Sequence, residues 1–162
     1  MTPTLEPHIL RTVSDPAFIG QAIRRASEQA LRRKLLRHYC AVVSTAYSLV
    51  LDAFSVPHKM VVGHFRDNDH VWVESGGRIY DLTLTQFDKE AEPVSILPVD
   101  DQRYNKLYTT SKEVARLELE VFGTAGMVLK IVQRVHVIMA EQLASGSVRS
   151  IERKGEQCVN LI

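Results

Sequence analysis

Three residues in the middle of the chain have the types and the order of a thiol catalytic triad. Cys40 opens a stretch with helical periodicity, His70 opens a short β-rich segment, and Asp81 closes the next one. A cysteine nucleophile requires a thiol pKa below the ordinary value of about 8.5, a base that holds the proton, and a third group that orients the base. A helix N-terminus favours the thiolate through its dipole, while imidazole and carboxylate supply the other two functions. We therefore take Cys40, His70 and Asp81 as candidate catalytic residues.

A glycine turn between two predicted strands brings His70 and Asp81 to one face of a hairpin. If the turn is Ser75-Gly76, residue 70 pairs directly with residue 81. If the turn is Gly76-Gly77, residue 70 pairs with residue 83 and Asp81 becomes its diagonal neighbour. In both cases the two side chains share a face, because side chains alternate with a period of two, whereas a three-residue turn would separate them. The spacing thus places a carboxylate within reach of the imidazole.

The helices predicted around these residues follow from periodicity and capping. Residues 1–15 have few periodic apolar positions and predict an irregular arm, after which a helical pattern runs from Phe18 to Leu35 with Asp15 as N-cap and Pro16 at the first position. A second helix is predicted over Cys40–Phe54. The capping box Thr110-x-x-Glu113 predicts a helix over Ser111–Phe122, and a long final helix is predicted from Met127 to near Ser145.

The strands lie between these helices. β-branched and aromatic runs predict strands at Lys59–Phe65, His70–Glu74, Arg78–Leu82 and Val94–Val99, followed by a polar loop through Asn105. Helices, a small antiparallel meander and further helices in this order indicate the α+β class. We predict one domain over residues 1–146 and a C-terminal tail over residues 147–162.

Composition and charge indicate which partners and which cellular compartment to expect. The 162 residues are 45% hydrophobic, with 20 basic and 19 acidic residues, so we expect a globular domain with neither nucleic acid nor a membrane as its partner. We expect neither a secretory signal nor a membrane span, because residues 1–11 lack a basic segment followed by an apolar one and no apolar run is long enough to span a bilayer. Two cysteines, Cys40 and Cys158, make no disulfide framework and indicate a reducing compartment, while a single disulfide between them stays open. We expect a cytoplasmic protein, or one delivered to another cell by a route that needs no signal peptide.

The stretch Tyr39–Asp81 resembles the transglutaminase-like core of the papain-like cysteine enzymes, over about a third of the chain. The resemblance includes the segment that continues through Gln86 to Phe87, which is similar to small bacterial and phage members, among them toxins and effectors. The H-x-W-V-E strand also recurs in leader peptidases of lasso-peptide maturation. The matching residues are Cys40 with Ser44 and Leu49, Met60-Val-Val-Gly63, His70-Val-Trp-Val-Glu74, Gly77-Arg-Ile-Tyr-Asp81 and Leu82-Thr83.

Two departures from the family pattern concern the approach to the cysteine. Arg37-His38-Tyr39 stands where the family often has glycine before the cysteine helix. Lys34 stands nearest to the place where papain-type enzymes carry a glutamine that polarises the oxyanion. The backbone N–H of Cys40 is therefore the default oxyanion donor, and its side-chain partner is unassigned.

The resemblance implies acyl transfer through a thioester, without a cofactor or metal. Cys40 would attack an amide carbonyl, His70 would protonate the leaving amine, and Asp81 would hold the imidazole tautomer. Trp72 and Gln86 are implied substrate-binding residues. The implied substrate is a protein or peptide bearing a glutamine or a backbone amide, and deamidation, proteolysis and crosslinking all stay open.

Two other interpretations of the sequence compete with the enzyme. The cluster His64, Asp67, Asp69 and His70 contains ligand types for a metal ion. Alternatively, the fold is catalytically inactive and binds protein or nucleic acid through a basic helix over Arg24–Arg37. For the helical region Thr110–Ala144 we predict a role in substrate choice or partner contact, or simply completion of the core.

Overall fold

A computed structural model describes residues 7–34, 36–115 and 124–145 and shows an α+β protein, as predicted. The helices are α1 (Pro7–Val13), α2 (Pro16–Leu31), α3 (Cys40–Ala53), α4 (Gln102–Leu107) and α5 (Ala125–Ala144). The strands are β1 (Lys59–Phe65), β2 (Asn68–Ser75), β3 (Arg78–Asp81), β4 (Ser95–Pro98) and β5 (Tyr108–Val114), with a short 3₁₀ helix at Leu84–Gln86. In the described ranges no helix is long and apolar enough to cross a membrane.

The strands form one five-stranded antiparallel sheet in the order β4-β3-β2-β1-β5. Between β2 and β3 the turn is Gly76-Gly77, because Ser75 pairs with Arg78 and Val73 with Tyr80. The φ angles of Gly76 and Gly77 are 55° and 72°, in the left-handed region. Residues with a Cβ atom rarely adopt this conformation, which two-residue hairpin turns of this kind require. Of the two hairpins that the sequence allows, this one makes Asp81 the diagonal neighbour of His70.

The two faces of the sheet contribute to different hydrophobic clusters, as the alternation along β2 shows. Val71 and Val73 belong to the main core, which β2 shares with α2, α3 and α5. Trp72, between them, belongs to a smaller and more aromatic cluster. The other buried members of that cluster are Val61, Phe65, Ile79, Leu84, Tyr104 and Tyr108. One face thus carries the helices and the other carries the aromatic residues that surround His70.

Several local predictions are confirmed. The Asp15 side chain accepts a hydrogen bond from the Ala17 N–H at 3.0 Å, and Pro16 is the first residue of α2. Helix α3 begins at Cys40, the fourth strand lies within Val94–Val99, and α5 matches the predicted final helix. These signals are local, so the sequence alone carries them.

The predicted helix over Ser111–Phe122 is wrong where the structure describes it. Tyr108–Val114 is a strand that pairs with β1, with Tyr108 opposite Phe65 and Val114 opposite Met60. The capping box is a local signal, whereas the exposed edge of β1 offers a row of backbone partners and burial for the Tyr108 ring. Residues 116–123 and the predicted tail over 147–162 lie outside the described residues.

Two predicted irregular segments contain short helices. The N-terminal arm includes α1, and the polar loop through Asn105 includes α4. Asp101 caps α4, since its carboxylate accepts the Arg103 N–H at 2.8 Å. Both helices are of seven residues or fewer, and such short elements leave little periodicity to detect.

The predicted basic helix over Arg24–Arg37 is also wrong. Helix α2 ends at Leu31, where Arg32 adopts a left-handed conformation and its N–H bonds to the Glu28 carbonyl. The chain must turn there, because α2 and α3 pack into the same core. Exposed basic residues therefore follow the helix in a loop, namely Arg32, Arg33, Lys34 and Arg37, whereas Arg24 is buried.

Candidate active site

His70 and Asp81 form a direct and fully buried pair. His70 lies near the start of β2 and Asp81 ends β3, and the imidazole Nε2 lies 2.7 Å from the carboxylate Oδ2. The exposed fraction of both side chains is 0%. This is the contact that the hairpin spacing predicted. With Nε2 engaged by the carboxylate, Nδ1 is the ring nitrogen left for a thiol.

Asp81 accepts further hydrogen bonds that hold it in place. The Tyr108 hydroxyl donates to Oδ2 at 2.8 Å, and the Thr83 backbone N–H donates to Oδ1 at 3.0 Å. Burial and the charge of Asp81 raise the pKa of Tyr108 far above its ordinary value, so the hydroxyl stays a donor. Both oxygens of the buried carboxylate are thus satisfied, as a charge away from water requires.

Tyr108 is a site residue that the sequence reasoning missed. It lies 27 positions after Asp81 on β5. The run Tyr-Thr-Thr has the aromatic and β-branched composition of a strand, and this was the available signal. That signal concerns the strand only, because the partner of the hydroxyl depends on how β5 pairs with β1.

Cys40 is the first residue of α3, and its thiol is free and partly exposed. Tyr39 at the N-cap makes no side-chain hydrogen bond to this helix start. The first N–H groups of a helix lack partners within the helix and carry its positive end, which favours an anion at this position. Cys40 is also one of the groups that raise the pKa of His70, so the thiol belongs to the surroundings of the imidazole.

The environment of His70 favours the imidazolium. Burial lowers the pKa of His70, but the charge of Asp81, the hydrogen bond to Asp81 and the interactions with Cys40 raise it. The net result is a pKa of about 9, above the ordinary value of 6.5. At neutral pH the ring is therefore protonated and able to stabilise a thiolate and to deliver a proton.

Gln86 lies beside the ring nitrogen of His70 that faces away from Asp81. Its Oε1 accepts the backbone N–H of His38 at 3.1 Å, and this contact directs the NH₂ group the other way. The Nε2 atom lies 3.5 Å from His70 Nδ1. Because the imidazolium Nδ1 carries a hydrogen and cannot accept one, the NH₂ group keeps its donor capacity for an oxygen. Gln86, predicted as substrate-binding, thus joins the loop that precedes Cys40 to the imidazole.

Trp72, the other residue predicted to bind substrate, lies beneath the site. Its exposed fraction is 0%, and its indole N–H donates to Glu74 Oε1 at 3.3 Å. The ring centroid lies 6.0 Å from that of His70 and 5.0 Å from that of Tyr108. In this position the indole is buried next to the His70 ring, and its predicted role in substrate binding stays a prediction.

The cluster proposed as a metal site is divided between two environments. His64 lies 3.1 Å from Asp69 at the surface, whereas His70 is buried against Asp81. Among the described residues no group of three or more His, Cys, Asp or Glu side chains is arranged to hold a metal ion.

Comparison with protein-family models, curated proteins and solved structures finds no match to this chain. The functional interpretation therefore depends on the geometry of the site and on the motifs in the sequence.

Proposed function

We propose that the protein is a cysteine-dependent hydrolase or acyltransferase that acts on amide bonds, with Cys40, His70 and Asp81 as its triad. The observation that carries the proposal is the buried His70–Asp81 pair at 2.7 Å, whose histidine has its pKa raised partly by Cys40, a free and partly buried cysteine at a helix start. A buried charged pair is costly as a purely structural device. Beside a thiol, the same pair has the geometry of nucleophile, base and orienting group.

The order of elements also supports a papain-like, transglutaminase-like core. The cysteine begins a helix that packs on the sheet, and antiparallel strands carry the histidine and the aspartate in that order. Ser44, one turn into α3, donates its hydroxyl to the Val71 carbonyl at 3.2 Å and so links the cysteine helix to the histidine strand.

The first half of the reaction forms a thioester. The Cys40 thiolate attacks the amide carbonyl carbon, an S–C bond forms, and the carbonyl electron pair moves to oxygen. The protonated Nδ1 of His70 gives its proton to the amide nitrogen as the C–N bond breaks and the amine leaves. Asp81 stabilises the imidazolium before this transfer and keeps the tautomer that protonates Nε2 afterwards.

Two donors suit the negative oxygen of the tetrahedral intermediate. The backbone N–H of Cys40 lies at the start of α3, where it lacks a partner within the helix. The Gln86 NH₂ group lies 3.5 Å from His70 Nδ1, the nitrogen that serves the thiol and the substrate in this mechanism. Gln86 thus takes the place of the upstream glutamine that the sequence lacks, and removal of one such donor typically costs about 10²-fold or more in rate.

The second half releases the acyl group. His70 Nδ1 takes a proton from water or from an amine, whose oxygen or nitrogen attacks the thioester carbon and frees the thiolate. If the amide belongs to a glutamine side chain, ammonia leaves and attack by water on the thioester gives deamidation. If it belongs to the backbone, attack by water gives proteolysis. If an amine attacks the thioester instead of water, the result is crosslinking. The proposed substrate is therefore a protein or peptide that bears such an amide, met in the cytoplasm or in a cell to which the protein is delivered.

The proposal is tested by alkylation of Cys40 with iodoacetamide, resolved from Cys158 by peptide mass. Wild-type Cys40 should react readily at pH 6.5, because the imidazolium stabilises the thiolate. In His70→Ala we expect the rate at pH 6.5 to fall at least about tenfold. A thiol that reacts slowly in the wild type, or at the same rate in both proteins, would support the non-catalytic binding module.

His64→Ala is the matched control. His64 also faces an aspartate, with Nε2 3.1 Å from Asp69 Oδ1, but its side chain is 40% exposed. The Cys40 alkylation rate should stay at the wild-type value in this variant. If both histidine variants lowered the rate equally, the effect would not come from a specific thiol–imidazole pair.

A further inference from the structure

Arg24 is a buried arginine whose guanidinium bonds to several separate chain segments. Its exposed fraction is 5%, although it lies on a helix whose other basic residue, Arg25, is half-exposed. Nη1 donates to the Leu82 carbonyl at 2.6 Å and to Thr85 Oγ1 at 3.0 Å, Nη2 donates to the Lys34 carbonyl at 2.8 Å, and Nε donates to Glu28 Oε1 at 2.7 Å.

The acceptors adjoin the residues of the proposed active site. Leu82 directly follows Asp81, and Thr85 directly precedes Gln86. The Lys34 carbonyl belongs to the loop that leads from α2 into the start of α3, where Cys40 lies. The Arg24 guanidinium on α2 therefore connects the segment from Asp81 to Gln86 with the loop that leads to Cys40.

Arg24 contributes to the site through the directions of its hydrogen bonds and not through its charge. Glu28, one turn along α2, forms an ion pair with Arg24 and offsets its charge. The three other bonds go to neutral oxygens, and their directions match the fixed fork of a guanidinium. Stability alone does not require an arginine at position 24. A buried ion pair adds little stability, and an apolar side chain would pack in the core equally well.

We infer that Arg24 is a positioning residue for the proposed thiol chemistry. Its guanidinium holds the Asp81–Gln86 segment in register with the loop before Cys40. This inference rests on the proposed function. A lysine at this position would keep the charge but offers a single nitrogen, which cannot bond to all of these acceptors at once.

The experiment measures Cys40 alkylation at pH 6.5 together with thermal unfolding, in Arg24→Lys, Thr85→Val and the control Arg25→Lys. Thr85→Val removes only the Oγ1 acceptor and keeps the shape of the side chain. We expect the rate to fall about fivefold or more in Arg24→Lys and by a smaller factor in Thr85→Val, each with a cooperative unfolding transition. Arg25→Lys should match the wild type, because Arg25 is exposed and contacts only Glu141 among the ion pairs of the described chain.

Outcomes separate this inference from the proposed function. If Arg24→Lys and Thr85→Val unfold at lower temperature yet react at the wild-type rate, Arg24 is a structural residue and the inference fails. If Arg24→Lys does not fold, Thr85→Val decides, and an unchanged rate in that variant overturns the inference. If His70→Ala already reacts like the wild type, the proposed function fails and the inference fails with it.

Discussion

At the scale of single residues, burial separates the roles of the three site residues. His70 and Asp81 are shielded from water, whereas Cys40 is partly exposed at the helix start. Among the described residues, the carboxylate therefore has fixed donors, namely the His70 ring, the Tyr108 hydroxyl, and the N–H and hydroxyl of Thr83. A reagent in solvent can reach Cys40, whereas the imidazole keeps one orientation because its carboxylate partner is shielded from water.

The raised pKa of His70 predicts a pH-dependent contribution to stability. The folded protein holds the proton more tightly than the unfolded chain, so the contribution is complete below pH 6.5 and is lost as the pH rises through about 9. A shift of this size corresponds to about 3 kcal/mol. Between pH 6.5 and pH 9.5, urea denaturation should show a larger fall in unfolding free energy for the wild type than for His70→Gln. Equal falls would show that the pair does not hold the proton.

At the scale of elements, the contact between β1 and β5 positions a residue that is remote in sequence. Strand β5 supplies the Tyr108 hydroxyl to Asp81, and it does so as the edge strand next to β1. Gly63 lies where the pairing of these strands changes register, between Val62 and His64. A Cβ atom at Gly63 would lie 2.7 Å from the Thr109 carbonyl oxygen and 2.8 Å from the Trp72 ring. The close approach of the strands therefore depends on glycine.

Gly63→Ala should push β5 away from β1 and move Tyr108 from Asp81. We expect a loss of about 2 kcal/mol in the free energy of unfolding, as for other overpacked sites, with slower alkylation of Cys40 at pH 6.5. Urea denaturation and the alkylation assay measure the two effects. Gly126→Ala is the control, because a Cβ at that position has no atom of the described residues within 4 Å outside its own stretch of helix. Wild-type behaviour of Gly63→Ala would show that β5 has room to adjust.

At the scale of the whole molecule, α5 completes the main core. Its buried residues Val128, Ile131, Val135, Ile138 and Met139 join the cluster formed with α2, α3 and one face of the sheet. Of the roles considered for the C-terminal helical region, core completion is the one that these contacts support. The helix that carries Arg24 and the helix that begins with Cys40 thus share a layer with α5.

Two leucine-sized residues on α5 test this role. Ile131 is fully buried and Leu129 is 56% exposed, so truncation of each to alanine separates core packing from helix propensity. Ile131→Ala should lower the free energy of unfolding by about 3 kcal/mol, and Leu129→Ala by less than about 0.5 kcal/mol. Similar losses in urea denaturation of the two variants would contradict the assignment of α5 to the core.

The sequence alone determined the features that depend on neighbours along the chain. Asp15 and Pro16 begin α2, Cys40 begins α3, and the glycine turn puts His70 and Asp81 on one face. Capping, helical periodicity and strand alternation act over a few residues, so their patterns are visible without coordinates. For the same reason, the predicted contact between imidazole and carboxylate did not depend on which two-residue turn the hairpin uses.

Only the tertiary structure decided the contacts between distant segments. A capping box at Thr110 favoured a helix, but pairing with β1 made a strand there and brought Tyr108 to Asp81. The basic residues over Arg24–Arg37 suggested a helix that binds a partner, but Arg24 turned inward to bond with oxygens 58 and 61 residues away. Such choices depend on which backbone groups and charges meet after folding. Their free energy comes from burial and from partners that no local pattern specifies.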